Sequence, residues 1–131
     1  KFEMVFEARI PLDEPGPEDC VAGVSTLTAS DLGASKLLAN VDRWADPGVF
    51  SRDVLDLAML ELNPSRWDAA RAKAEAAYGG AVVRDARKAI AGLHHNPERL
   101  STCLQALAVD VPAALMLERL KRLEARLPIG R

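Results

Sequence analysis

The chain has 131 residues, 49% hydrophobic and 27% charged, with a formal net charge of −2. That length points to one domain with a core of ordinary relative size. The near-neutral balance excludes a strong global field for nucleic acid or an anionic membrane, leaving only local patches.

Two cysteines, Cys20 and Cys103, are too few for a disulfide framework and lack metal-ligand spacing, so they are read as reduced thiols in a cytoplasmic protein. No apolar run reaches the ~18 residues of a membrane span, and no signal-peptide pattern is visible. The opening "KFEMVFEARI" has no initiating Met, and regular structure is expected from the first residue. The chain is therefore expected to be a piece of a longer protein, cut at a strand.

That opening alternates. Phe2, Met4, Phe6, Ala8 and Ile10 make one face and Lys1, Glu3, Val5, Glu7 and Arg9 the other, the period of a half-buried strand. A Pro- and acid-rich loop follows, and "CVAGVST" predicts a short second strand. Six helices are expected after it. Thr28 caps the first, with Asp31 three residues on, and "DPG" ends it near Ala45. The second starts after Ser51 and runs to Leu62. Asn63-Pro64 opens the third, which stops at Gly79-Gly80. The fourth covers about Val82 to His94, and Asn96-Pro97 opens the fifth. The sixth runs from about Pro112 to Leu127. The expected fold class is α+β, mostly helical: the end of a sheet in residues 1–27, then a helical bundle in 28–131.

The charges of "KLLANVDRWADPGVFSRDVLDLAML" carry the functional question. Lys36, Asn40 and Arg43 fall at i, i+4 and i+7, a single polar stripe on the first helix. A solvated face is the plain reading; phosphate binding is the sharper one, since Lys supplies a point charge and Arg a two-pronged donor. The second helix is apolar nearly all round, so Asp53 and Asp56 sit on or near a buried surface and must be paired. Arg52 and Asp56 are i, i+4 in the less favourable order. A cross-helix network with Arg43 or Lys36 explains the carboxylates better.

Elsewhere the signals are weaker. Glu3 and Glu7 lie about 13 Å apart along a strand and cannot share one metal ion. His94-His95 at a helix end suits dipole complementarity better than metal ligation. Trp67 and Tyr78 read as core. Glu118, Arg119, Lys121, Arg122, Glu124 and Arg126 read as a solvated face with i, i+3 and i+4 pairs, or as a nucleic-acid surface. No Gly-rich phosphate loop, Cys/His cluster or Ser-His-Asp set is present in the sequence.

The run from Leu27 to Leu60 resembles the third motif of the abortive-infection nucleotidyltransferase toxins, the AbiEii/AbiGii-like family. The matching positions are Lys36, Asp42-Arg43, and Arg52-Asp53 with Asp56-Leu57. "KFE" resembles the family's second motif, a strand bearing a carboxylate, with Glu3 where many relatives carry Asp. The resemblance covers about residues 1–62; beyond that, the agreement is only in helices.

It implies a polymerase-beta-like core that transfers a nucleoside monophosphate from an NTP to an acceptor such as tRNA, with Mg2+, in bacterial toxin-antitoxin or phage-defence systems. Glu3 would be a metal carboxylate and Lys36 would contact the triphosphate. Arg43, Arg52 and Asp53 would shape the site, with Asp42 and Asp56 in its supporting network. A cognate antitoxin protein and a cytoplasmic setting are implied as well. The family's first motif, Gly-Ser followed by Asp-x-Asp, is not in this sequence and is expected upstream of Lys1. The segment 1–131 alone is therefore expected to be inactive. The reading from a different class is a non-catalytic helical module that binds a protein partner.

Overall fold

The computed structural model describes residues 20–21, 24–25, 28–60 and 62–127. Six helices follow one another: α1 Ala29–Arg43, α2 Arg52–Met59, α3 Pro64–Tyr78, α4 Ala81–His94, α5 Pro97–Ala106 and α6 Ala113–Ala125. Most of the described residues lie in these six helices.

The expected α+β class is corrected by this arrangement. The described residues hold no remnant of a nucleotidyltransferase sheet. The extended pairing among them is a ladder of two residues a side, Cys20–Val21 against Val24–Ser25, antiparallel. A two-residue hairpin is too short to present a face on which helices could pack. The strand expected over Lys1–Ile10 lies outside the described residues.

Local chemistry sets most helix ends. Thr28 accepts a hydrogen bond from the Asp31 amide at 3.2 Å. Asn63 accepts from the Arg66 amide at 2.9 Å and Asn96 from the Arg99 amide at 3.1 Å, each before a Pro whose missing N–H costs nothing at the first helical position. Ser51 departs from expectation. Its backbone is left-handed (φ 56°, ψ 29°), as is that of Phe50 (φ 57°, ψ 36°), and its side chain makes no cap bond. A capping side chain needs an extended backbone to reach the orphan amides. A short 3-10 turn, Pro47–Val49, fills the α1–α2 connection.

The helices need one another because each is short and buries only part of its surface. Leu37 and Leu38 of α1 and Val54, Leu55 and Leu57 of α2 join one apolar cluster. Ala70 and Ala74 of α3, Val82, Ala86 and Ile90 of α4, Leu100 and Cys103 of α5, and Met116 and Leu120 of α6 complete it. Helix α1 packs chiefly on α3, and next on α2 and α4. Its Gly33 makes the close approach possible: a Cβ there would meet Leu62 Cδ1 at 3.2 Å and Ala70 Cβ at 3.3 Å. Helix α2 lies between α1 and α6. No helix among the described residues is long and apolar enough to cross a membrane.

A candidate anion site at the α1–α2 crossing

Helix α1 ends just as its polar stripe reaches α2, and α2 begins on the charged half of its sequence. The crossing therefore brings Lys36 and Arg43 against Asp53 and Asp56. Asp53 is only 2% exposed. Arg43 grips it with both prongs: Nε donates to Oδ2 at 2.7 Å and Nη2 donates to Oδ1 at 2.8 Å. Lys36 Nζ lies 2.8 Å from Asp56 Oδ2 and 3.9 Å from Asp53 Oδ1. Arg52 Nε reaches Asp56 Oδ2 at 3.7 Å.

Hydrogen bonding to Asp53 pushes Arg43 above its ordinary range, against partial desolvation and with added pull from the charges of Asp53, Asp42 and Asp56. A raised basic group contributes its stability at all pH values below its unfolded range and loses it only above. The Arg43–Asp53 pair is thus insensitive to pH around neutrality on the arginine side.

Of the residues the sequence singles out, five converge here: Lys36, Arg43, Arg52, Asp53 and Asp56. Asp42, placed in the same network by the sequence, accepts from the Tyr78 hydroxyl at 3.1 Å and acts on Arg43 through its charge. Tyr78 is half-buried and packs on the core through its ring. Glu3 lies outside the described residues. His95 Nδ1 sits 2.8 Å from the Ala91 carbonyl at the end of α4.

Asn40, on the same stripe, is 1% exposed, and its Nδ2 has no hydrogen-bond partner. That orphan donor beside the two cations was not legible in the sequence, where the stripe reads only as polar. A second buried carboxylate was also missed. Asp31, fully buried, is paired with Lys73 of α3 at 2.5 Å. The Asp31 side chain served the sequence reading only as part of a cap.

Lys36, Arg43 and Arg52 meet Asp53 and Asp56, and the charge of Asp42 also acts on Arg43, so positive and negative charges balance in the cluster. The side chains of Lys36, Arg43 and Arg52 keep 23%, 43% and 49% of their surface in solvent. Chemically the arrangement can exchange the exposed Asp56 carboxylate on Lys36 for a phosphate oxygen. It does not fit a magnesium centre. Both oxygens of Asp53 are held by Arg43, Asp56 is held by Lys36 and Arg52, and no group of three metal-ligating side chains occurs among the described residues. Compared with family models, curated proteins and solved structures, the chain matches none.

Proposed function

We propose that the chain supplies the triphosphate-facing helical wall of a nucleotidyltransferase toxin. The protein would move a nucleoside monophosphate from an NTP to an acceptor such as tRNA, with Mg2+ as the implied cofactor and an antitoxin as its protein partner. The observation that carries the reading is the gathering of Lys36, Arg43 and Arg52, from two helices, around Asp53 and Asp56, with part of each cation in solvent. Phosphoryl-type transfer asks a protein mainly to position the phosphates and offset their charge. Lys36 is the group best placed to do so. Its partner Asp56 is itself 39% exposed, so exchanging that carboxylate for phosphate strands no buried ion. Arg43 holds the wall in place through Asp53.

The test is nucleotide transfer by the intact gene product, with labelled NTPs, Mg2+ and tRNA. Lys36→Ala is expected to abolish labelling with circular dichroism unchanged, and Lys36→Arg to restore part of it. Undiminished labelling by Lys36→Ala would overturn the reading. Residues 1–131 alone are expected to transfer nothing; transfer by the segment would overturn the assignment of the missing motif to upstream sequence.

One observation favours the reading from the other class, a non-catalytic helical module. Asp53 is saturated by Arg43, which is how a structural clasp would look. Under that reading Lys36→Ala leaves NTP affinity unchanged and no transfer is seen from the intact product.

A further inference from the structure

A cleft of about 400 Å3 opens where α2, the start of α3 and the last turns of α6 meet. One side of it is apolar, formed by Leu57, Leu62 and Trp67; the other is cationic, formed by Arg119, Arg122 and Arg126. No carboxylate lines it among the described residues. Spacings of three and four residues put these arginines on one face of α6. Arg122 has Glu118 one turn before it, in the favourable i, i+4 order. Yet among the described residues no ion pair joins them, and Arg122 borders the cleft instead. Arg126, one turn further on, likewise makes no ion pair there. Like charges one turn apart repel, so an anion in the cleft would relieve a repulsion that the helix itself does not.

We propose that this cleft binds an organic phosphate, with the phosphate between Arg122 and Arg126 and a compact apolar body against Leu57, Leu62 and the edge of Trp67. Guanidinium groups match phosphate with paired donors. The volume is that of a small-molecule site, and the mix of apolar wall and few polar anchors is the usual make-up of one. The site is separate from the α1–α2 cluster. Helix α2 turns Asp53 and Asp56 to α1, and Leu57 and Ala58 to the cleft. The inference does not rest on the transferase reading.

The two tryptophans make the test direct, because Trp67 borders this cleft whereas Trp44 lies beside Lys88, at the α1–α4 side. Phenyl phosphate titrated into 15N-labelled protein at physiological salt should shift the Trp67 indole resonance and leave that of Trp44 in place. Its dissociation constant should be about tenfold below that of inorganic phosphate, reflecting the apolar wall. Arg122→Gln and Arg126→Gln should each weaken it about tenfold. Lys121→Gln, which removes an exposed charge on the opposite face of α6, should leave it within about twofold. A still Trp67 resonance, or arginine variants that bind as tightly as wild type, overturns the site. Equal affinity for phenyl phosphate and inorganic phosphate overturns the organic ligand. Adenosine 5′-monophosphate and ribose 5-phosphate, run alongside, assign the source: whichever binds tighter than phenyl phosphate supports a nucleotide or a sugar phosphate.

Discussion

Asp53 and Asn40 illustrate opposite uses of a buried polar group. Asp53 is fully engaged, so removing its partner is costly. Arg43→Ala should destabilise the fold by about 2–4 kcal/mol in urea unfolding, the lower end applying because Lys36 stays within 3.9 Å of the carboxylate. The loss should change little with salt, since a nearly buried ion is poorly screened. A cost below ~0.5 kcal/mol would show that the pair is no clasp. Asn40 leaves its amide nitrogen unbonded. Asn40→Leu should therefore raise stability by about 1 kcal/mol, because the desolvation penalty of an orphan donor disappears. The need for a partner at Asp53 was readable from the apolar residues surrounding it in α2. The orphan at Asn40 was not, because a polar stripe says nothing about what faces it.

The helix caps and the α1–α2 connection show where local sequence is a reliable guide and where it fails. Asn63 and Asn96 each precede Pro and bond the amide three residues on. Changing either to Ala should cost about 1 kcal/mol. Ser51 has the right residue type in the right place, but the preceding turn drives it into left-handed backbone. That turn is held from a distance: Arg99 of α5 donates to the Pro47 carbonyl at 2.9 Å and stands 5.3 Å from the Phe50 ring centroid. Contacts across such a span leave no mark in a local pattern. Ser51→Gly should stabilise the protein by ~0.5 kcal/mol, since the strain of a left-handed side chain slightly exceeds the added freedom of the unfolded glycine. A thermal midpoint lower than wild type would contradict it.

At the scale of the molecule, one apolar cluster draws on all six helices, so the bundle should unfold as a unit. Leu37→Ala in α1 and Leu120→Ala in α6, both fully buried, should each cost about 2–5 kcal/mol with the same denaturant slope as wild type. Two separate transitions in either variant would break the bundle into parts. The periodicity of Leu, Ala and Val carried the six helices. The expected second strand is reduced to a ladder of Cys20–Val21 against Val24–Ser25, and the strand expected over "KFEMVFEARI" lies outside the described residues. The cleft at α6 was hidden for another reason. Alternating Glu and Arg along that helix imply mutual neutralisation, and only the packing of α2 and α3 shows where Arg122 and Arg126 stand.

The two-pronged bond between Arg43 and Asp53 also constrains how this protein can change over generations. Losing the guanidinium first strands a carboxylate at 2% exposure; losing the carboxylate first takes from Arg43 its two-pronged partner, leaving only the weaker pull of Asp42 and Asp56. Either single step lowers fitness if the fold is marginal, whereas Arg43→Met together with Asp53→Leu lands close to neutral. The two positions should therefore drift as a couple, and in descendants they should be found both ionic or both apolar, seldom one of each.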